Sequence, residues 1–395
     1  MDSRLVEVGP LPRRILDNSG LSWLGAGENA DYFAEEFVRV SSEELRQFDF
    51  AARDLHDLSL RAVAEVYRHD RWEELGVPEH AIPLLRYSVE KESDLFLIGR
   101  FDFAGGMLGL PVQLIEYNAD TCSLLPETSM VQKQYARHAT RSLGGRQPFN
   151  DLDEDLQRRW RELLKQFPTR SASLLIVHLG HDEDLLNCEV IAYAARSAGF
   201  EDVQMAHLKD VIFSGEDGVF IEQANGSYLK FEFLYKFVPW EIAAYDEPGL
   251  WADLEEIIVT GLAIVLNPAW TFLVQNKALL QIMYELEPTN PYLLQTSHTL
   301  LDFPDGRFVR KPRLGRMGEN IQYYDGEALP VYETEGDYEA IPPVYQALAQ
   351  FNLDEEDHRY QPSVFFVEEP CALCFRRQDD LIIDDDAEFV GSVIV

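Results

Sequence analysis

Residues 94–120 read DLFLIGRFDFAGGMLGLPVQLIEYNAD, two short apolar runs separated by Ala-Gly-Gly. Apolar runs of this length on either side of a glycine-containing turn predict a hairpin-like pair of β-strands. Side chains alternate between the two faces of a strand, so Arg100 shares a face with Asp102, and Glu116 shares a face with Asn118. Two interpretations stay open, namely two solvated strand faces or one shared charged pocket.

A long helix is predicted before this hairpin. Ser41 and Glu44 have the spacing of a capping box, and apolar residues then recur at helical intervals from Leu45 to about His69. One face of this helix is therefore apolar, and we interpret it as a packing helix.

The middle of the chain is predicted to be α/β. Residues 172–184, ASLLIVHLGHDED, form an apolar strand that ends in an acidic loop, and a helix is predicted over 185–197. A second strand region follows at 201–214. This order favours a small parallel sheet whose carboxyl edge faces a cleft.

The late part of the chain carries two lysines in contrasting contexts. Residues 275–286, QNKALLQIMYEL, predict a helix with Lys277 at its start. Residues 306–324, GRFVRKPRLGRMGENIQYY, predict a strand ending at Lys311, a glycine-rich turn and a second strand. Beyond this hairpin, short β runs alternate with acidic turns.

These residue types suit a nucleotide triphosphate with magnesium. Lysine side chains neutralise phosphate oxygens, and a glycine-rich hairpin presents backbone N–H groups to them. Magnesium prefers carboxylate and amide oxygens, which Asp102, Glu116 and Asn118 carry. The pattern GxxxxGK[ST] is absent from the sequence, so the predicted site is not a P-loop.

The overall charge of the chain argues against polyanionic partners. The chain has 69 acidic and 34 basic residues, a formal net charge of -35. Such a chain repels phosphate backbones and anionic membrane surfaces, so we expect neither a nucleic acid nor a membrane partner. Two explanations of the acidity stay open: a high-salt source, or attraction of a polycationic substrate.

The ends and the cysteines indicate the compartment. The N-terminal residues lack the apolar core of a signal peptide, and no window approaches 18 uninterrupted apolar residues, so a cytoplasmic protein is predicted. Four cysteines in 395 residues do not make a disulfide framework. Cys371 and Cys374 are predicted to be small buried residues of a strand rather than zinc ligands.

Several of these stretches resemble one family when they are read together. RFDF at 100–103, LIEYNADTCS at 114–123, VPWE at 238–241, NPAW and NKALL within 267–280, VRKPRLGRMGENI at 309–321 and YQAL at 345–348 are similar, in order and wording, to the glutathionylspermidine synthase family. The resemblance covers about residues 20–389. It implies an ATP-grasp carbon–nitrogen ligase, here a synthetase-like module without the amidase that precedes it in bifunctional members.

The resemblance also implies residue roles. Asp102, Glu116 and Asn118 would be magnesium ligands, and Arg100 and Arg376 the catalytic arginines. Nucleotide binding would involve Lys277, Lys311, Gly315, Arg316, Gly318 and Gln346, with the loop around Gly315 as a mobile lid and Gln346 at the adenine. Thr121 and Ser123 would contact a peptide substrate. Because a polyamine needs carboxylates, residues His181 to Glu183, with Asp182 among them, and Glu189 are candidates for holding the amine.

A fold follows from the order of these motifs. The carboxylates come early and the lysines late, the reverse of the usual ATP-grasp order, so the resemblance implies an α/β, circularly permuted ATP-grasp fold. Residues 1–125 would join 262–395 around an α/β substrate domain at 126–261.

The implied activity is ATP-dependent activation of a peptide-like carboxylate as an acyl phosphate, followed by coupling to a polyamine-like amine. Where the family has Gly-Ile-Arg-Glu-Asp, this chain has Cys-Phe-Arg-Arg-Gln at 374–378, so the substrates stay open. The alternative is a non-catalytic protein that binds polyamines or cationic peptides in an acidic cleft of the same fold.

Overall fold

The computed structural model describes residues 1–22, 24 and 31–395. Its helices are α1 Arg13–Ser19, α2 Ser42–His69, α3 Ile82–Lys91, α4 Lys133–His138, α5 Leu152–Gln166, α6 Asp182–Ala198, α7 Pro248–Val259, α8 Thr271–Gln275 and α9 Leu279–Leu286. Its strands are β1 Leu5–Glu7, β2 Phe33–Val40, β3 Gly99–Gly105, β4 Val112–Asn118, β5 Ser173–His178, β6 Asp202–His207, β7 Val211–Ser214, β8 Gly218–Glu222, β9 Tyr228–Phe231, β10 Phe233–Lys236, β11 Ile264–Leu266, β12 Thr296–Ser297, β13 Arg307–Pro312, β14 Gln322–Asp325, β15 Tyr332–Glu333, β16 Pro343–Ala347, β17 Asn352–Leu353, β18 Arg359–Val367, β19 Glu369–Gln378 and β20 Glu388–Ile394.

The largest sheet joins strands from both ends of the chain. Its order is β1-β2-β20-β19-β18-β3-β4, and β17 pairs with β18. The predicted hairpin is confirmed, since β3 and β4 are antiparallel neighbours. β3 also pairs with β18, so polar side chains of the early hairpin share a sheet with the C-terminal strands. The predicted boundaries at residues 125 and 261 stay a prediction.

Helix α2 packs along this sheet and confirms the predicted capping box. Ser41 Oγ accepts a 3.2 Å hydrogen bond from the Glu44 backbone N–H, and Glu44 Oε2 accepts a 2.8 Å bond from that of Ser41. Phe48 and Leu55 lie fully buried on its inner face. Truncating such a leucine to alanine costs about 2–5 kcal/mol, so this face holds the sheet and helix together.

A second sheet is parallel, as the middle of the sequence predicts. Its order is β11-β10-β5-β6, and every neighbouring pair runs parallel. Helix α6 begins at Asp182, three residues before the predicted start, because the acidic residues 182–184 form its first turn, where negative charge is favourable.

A buried ion pair connects this sheet to the large one. Lys236 Nζ at the end of β10 donates a 2.6 Å hydrogen bond to Asp120 Oδ1, just past β4. The backbone N–H of Trp240 donates a 2.7 Å bond to the other oxygen of Asp120. Both charged side chains are almost fully buried, so they are stable only while each neutralises the other.

A third sheet, which we call the lid sheet, carries the nucleotide candidates. Its order is β12-β16-β13-β14-β15, and it is antiparallel throughout. The predicted strand–turn–strand of residues 306–324 is confirmed as β13 and β14. Gln346 lies opposite Val309, two residues before Lys311 on the neighbouring strand, which places Lys311 and Gln346 close together. A fourth, small sheet has the order β7-β8-β9.

The predicted helix over 275–286 is wrong in its first turn. Lys277 lies in a turn between α8 and α9, because its backbone N–H donates a 2.8 Å hydrogen bond to the carbonyl of Arg313 instead of continuing a helix. The Asn276 side chain holds the same turn by accepting a 3.0 Å bond from the N–H of Ala278. The hydrogen bond from Lys277 to Arg313 connects this turn to the start of the glycine-rich loop.

The prediction that Cys371 and Cys374 are buried residues of a strand is confirmed. All four cysteines are free and buried, and these two lie inside β19.

Over the described residues, the helices are each too short or too polar to cross a membrane.

Candidate active site

A cavity of about 860 Å³ lies where the large sheet, the lid sheet and the loops of the parallel sheet meet. Most of the residues singled out in the sequence line it. They are Arg100, Glu116, Asn118, Thr121, Ser123, Lys277, Lys311, Gly315, Arg316, Gly318, Gln346 and Arg376. The topology thus brings together side chains that are far apart in the chain.

The β3–β4 hairpin forms one wall of the cavity. Its register places Arg100 opposite Asn118 and Asp102 opposite Glu116. Arg100 donates two 2.8 Å hydrogen bonds to the two carboxylate oxygens of Asp102, and Ser363 Oγ donates a third of 2.7 Å. Asp102 is only 1% exposed and lies behind Arg100 rather than on the cavity wall. These strand faces are therefore a charged pocket and not solvated surfaces.

The oxygen-bearing side chains of this wall converge. Asn118 Nδ2 lies 2.9 Å from Asp102 Oδ2 and 3.3 Å from Glu116 Oε1. An amide turned over presents its oxygen to the same point, which would give two carboxylates and one amide oxygen around it. This donor set fits the hard-oxygen preference of magnesium. In the described residues, no group of three or more His, Cys, Asp or Glu is placed to hold a metal, so such a site depends on the amide.

Lys277 joins this wall to the glycine-rich loop. Its Nζ lies 3.0 Å from Glu116 Oε2 and donates a 2.8 Å hydrogen bond to the carbonyl of Gly315. Burial opposes ionisation of Glu116, but the charges of Lys277 and Lys311 outweigh it and lower its pKa to about 2. Glu116 is therefore a carboxylate at neutral pH, as a metal ligand must be.

Lys311 is the more deeply buried lysine. Its Nζ donates hydrogen bonds of 2.7 Å to Gln346 Oε1 and 2.9 Å to the carbonyl of Ile115. Burial, together with the nearby charge of Lys277, lowers the pKa of Lys311 to about 7, although Glu116 opposes the shift. Lys311 is thus poised to gain a proton when an anion arrives.

The loop between β13 and β14, residues 313–321, closes over the cavity, and we call it the lid loop. Arg316 Nε and Nη2 donate hydrogen bonds of 3.1 and 2.9 Å to Glu241 Oε1, and Nη1 donates one of 2.9 Å to Thr121 Oγ1. Gly318 has a φ of 72°, and a Cβ there would lie 2.9 Å from the carbonyl oxygen of Ile383. Only glycine fits this approach of the lid loop to the C-terminal segment.

The two predicted catalytic arginines both reach the cavity. Arg100 Nη1 donates hydrogen bonds to the carbonyl and the hydroxyl of Ser123, at 2.9 and 3.2 Å. Arg376 donates to the backbone carbonyl of Asp384. Its neighbour Arg377, which replaces an acidic residue of the family pattern, bonds to Glu36 and Glu388 away from the cavity. Its charge is therefore neutralised outside the site.

The acidic candidates of α6 fall into two groups. Asp182 and Glu189 are exposed and do not line the cavity, and Glu189 lies 3.6 Å from Arg196. The candidate Glu183 and its neighbour Asp184, both in the first turn of α6, do line it. Burial raises the pKa of both carboxyls.

Sequence reasoning missed several residues of the cavity. Glu241 was within reach, since it closes the VPWE motif that carries the resemblance. Tyr32 and Asp385 also line the cavity. Burial raises the pKa of Asp385 to about 6, against the opposing charge of Arg376. Neither residue lies in a motif, so no local signal marked them.

Comparison with known proteins identifies the family to which the chain belongs. A family model described as glutathionylspermidine synthase preATP-grasp matches residues 4–395. A Haemophilus influenzae protein provisionally named an acid–amine ligase is 27% identical over 375 residues, covering 93% of this chain and 91% of that protein.

Longer relatives match over part of their length. The bifunctional glutathionylspermidine synthetase/amidase of Escherichia coli is 25% identical over 405 residues, covering 96% of this chain and 62% of the relative. Trypanothione synthetase of Crithidia fasciculata is 26% identical over 382 residues, covering 86% of this chain and 56% of the relative. This chain therefore spans little more than half the length of these two proteins.

A solved structure shares the fold. A glutathione synthetase-like effector from Globodera pallida, in its apo form, superposes with a TM-score of 0.55 at 11% identity, covering 98% of this chain and 99% of the other. The predicted α/β fold of the ATP-grasp type is confirmed, and so is the family resemblance. The chain belongs to the glutathionylspermidine synthase family, a family of ATP-dependent carbon–nitrogen ligases.

Proposed function

We propose that this chain uses ATP to join a peptide-like carboxylate to an amine through an acyl phosphate. One observation carries the proposal: a single cavity gathers six basic side chains, the oxygen donors of the β3–β4 wall and an acidic wall on α6. The basic residues are Arg100, Lys277, Lys311, Arg316, Arg359 and Arg376. The gathering of these basic side chains in one cavity, in a chain of net charge -35, supports a binding site for phosphate.

The lid sheet and the lid loop would hold the nucleotide. Lys277 and Lys311 would bind its phosphate oxygens, and the backbone around Gly315 and Gly318 would cover them. Gln346, whose Oε1 accepts from Lys311, would face the adenine. Arg316 would supply a further cation as the lid loop closes and excludes water.

Magnesium would be held by Glu116 and Asn118 of the β3–β4 wall and by Asp102, which lies behind that wall with its Oδ2 atom 2.9 Å from the amide nitrogen of Asn118. When bound, magnesium neutralises the charge that builds on a transferring phosphoryl group. The same carboxylate of Asp102 orients Arg100 through two hydrogen bonds, so one residue would position both the metal and the arginine.

The remaining arginines would serve the acyl group. Phosphorylation turns an unreactive carboxylate into an acyl phosphate, which an amine attacks through a tetrahedral oxyanion. Arg100, held by Asp102 and Ser123, is a fixed donor for this oxyanion, and Arg376 would contact the phosphoryl oxygens. Thr121 and Ser123 would bind the peptide part of the acid.

The acidic wall would receive the amine. Glu183, Asp184 and Asp385 line the cavity beside the arginines, and burial raises the pKa of each carboxyl. A cationic amine favours the charged form of these carboxylates, so binding and ionisation support each other. A polyamine, with several positive charges, suits such a wall better than a neutral amine.

The relatives suggest the first substrates to test. Their names contain glutathionylspermidine and trypanothione, so glutathione and spermidine are the first acid and amine to try.

We further propose that residues 1–125 and 262–395 form the ATP-grasp core around an inserted α/β substrate domain at 126–261. We also propose that the protein acts in the cytoplasm.

The test is ligation by the purified protein. ATP, magnesium and a panel of small peptides and polyamines, glutathione and spermidine included, should give ADP, phosphate and an amide in equal amounts. The matched control is Glu116→Gln, which keeps the shape of the metal wall but removes one charge.

Three outcomes are informative. Stoichiometric ADP and amide support the ligase. No turnover with any pair, and no rise in Tm with ATP and magnesium, contradicts it. Spermidine binding by calorimetry without nucleotide and without ATPase activity would instead favour the non-catalytic binding protein.

A further inference from the structure

Amide formation in the proposed reaction requires a proton acceptor. An alkyl amine enters from neutral solution as an ammonium ion, whose nitrogen has no free electron pair. The carboxylates of the acidic wall, Glu183 and Asp184, favour this charged form and so hold the amine unreactive. A separate group must remove a proton next to the arginines.

The buried side chain of Glu127 is a candidate for this proton acceptor. Glu127 opens a π-helical turn, Glu127–Gln132, and is 3% exposed. Its Oε1 accepts a 3.0 Å hydrogen bond from the hydroxyl of Tyr32, and its Oε2 has no hydrogen-bond partner among the described residues. Tyr32 itself lines the cavity, so its hydroxyl connects Glu127 to the cavity. π-Helical turns are rare and occur frequently at functional sites.

The surroundings of Glu127 set its protonation. Burial raises the pKa of Glu127 to about 7, and the charge of Glu183 adds to this. The other charged or titratable groups close to Tyr32 and Glu127 are Arg100 on β3, Arg376 and Cys374 on β19, and Glu183 on α6. The backbone N–H of Glu127, the bond from Tyr32 and the charge of Arg100 partly oppose the rise in the pKa of Glu127. Burial and the charges of Glu127 and Glu183 raise the pKa of Tyr32 against the charge of Arg376, which disfavours an ionised phenol.

We propose that Tyr32 and Glu127 form a relay that deprotonates the attacking amine, an inference that rests on the proposed ligase function. The Tyr32 hydroxyl proton moves to Oε1 of Glu127, and a proton of the ammonium replaces it on the Tyr32 oxygen. The freed nitrogen pair then forms the bond to the acyl carbon and gives the tetrahedral oxyanion. When the oxyanion collapses, the bond from that carbon to the phosphate oxygen breaks. The second amine proton leaves with the phosphate, so charge and atoms balance.

The experiment separates proton removal from acyl phosphate formation. Hydroxylamine is largely uncharged at neutral pH, so it traps an acyl phosphate as a hydroxamate without a base. With the acid and amine that wild type joins, Glu127→Gln should form the amide at least about 100-fold more slowly at pH 7. Its hydroxamate formation should stay within about threefold of wild type. Tyr32→Phe should show the same split.

The pH profile supplies a second readout. Wild-type kcat should rise as the pH increases through about 7, where Glu127 loses its proton. In Glu127→Gln this step should disappear, and the rate should follow only the free-amine fraction of the substrate.

The chain offers a matched control. Glu92 is also a buried glutamate, with one carboxylate oxygen lacking a partner among the described residues, and burial raises its pKa to about 7. It does not line the cavity, so Glu92→Gln should leave both reactions and the pH profile unchanged.

Other outcomes overturn the relay. Wild-type amide formation in Glu127→Gln or in Tyr32→Phe contradicts it, and so does an equal loss of amide and hydroxamate, which would indicate a structural role. Should Glu127→Gln fail to fold, Tyr32→Phe decides alone. Absence of ligation and hydroxamate in wild type instead contradicts the proposed function itself.

Discussion

The ammonium of Lys277 lies 3.0 Å from the Oε2 atom of Glu116. A cation from the late chain thereby neutralises a carboxylate of the early chain. The same ammonium donates to the carbonyl of Gly315 in the lid loop, so it contacts the proposed metal wall and the proposed phosphate cover at once. We therefore expect Lys277 to contact the γ-phosphate of the nucleotide between the metal wall and the lid loop.

We expect Lys277→Met to weaken nucleotide binding. A hydrogen bond to a charged group contributes roughly 1.5–3 kcal/mol, which corresponds to an increase in Kd of about 10- to 150-fold. Calorimetry with a non-hydrolysable ATP analogue and magnesium measures this directly. Lys230→Met is the matched control, because Lys230 is an exposed lysine outside the cavity. An unchanged Kd in Lys277→Met would remove Lys277 from the phosphate site.

The two carboxylates of the metal wall should differ in their effect on stability. Asp102→Asn and Glu116→Gln should each lower turnover by at least about 100-fold, because each removes a charge from a small donor set. Asp102→Asn should also lower the free energy of unfolding by about 3–5 kcal/mol, since buried Arg100 loses its partner. Glu116→Gln should cost less, because Glu116 is more exposed than Asp102. Equal Tm values for Asp102→Asn and wild type would contradict the structural role of the pair.

Local sequence patterns predict those elements of the fold that depend on residues close together in the chain. The capping box at Ser41 and the alternation in 94–120 depend on neighbours in the chain, and both were predicted correctly. The start of α9 was not, because the N–H of Lys277 bonds to Arg313, a residue far along the chain. Interactions between distant segments leave no periodicity in the sequence.

The candidate site shows the same difference between residues within local motifs and contacts between distant segments. Lysines and carboxylates within family-like motifs were identified, but their partners were not. Asp102 is paired with Arg100 rather than open to the cavity, and Arg316 bonds to Glu241 in the distant segment after β10. Tyr32 and Glu127 meet only through the fold, so neither carried a local signal.

Nucleotide binding should take up a proton at alkaline pH. Burial lowers the pKa of Lys311 to about 7, so the free protein holds Lys311 mostly neutral at pH 8.5. Phosphate oxygens favour the charged form and raise this pKa, so binding should take up close to one proton at pH 8.5. At pH 5.5, Lys311 is already protonated and contributes no uptake.

Calorimetry in buffers of different ionisation enthalpy counts these protons. Lys311→Met should abolish the uptake, while Lys230→Met should retain it. Uptake that persists in Lys311→Met would assign the proton to another group.

The ion pair between Arg316 and Glu241 should hold the lid loop closed without nucleotide. Arg316 donates two hydrogen bonds to one oxygen of Glu241, and this contact joins the lid loop to the segment after β10. Glu241→Gln replaces a charged acceptor by a neutral one, so the lid loop should open more often and trypsin should cleave after Arg316 about tenfold faster. ATP with magnesium should restore protection, because the phosphates would then hold the loop. Glu327→Gln, an exposed glutamate in the turn after β14, should cleave at the wild-type rate. Equal cleavage of Glu241→Gln and wild type would show that other contacts keep the lid loop closed.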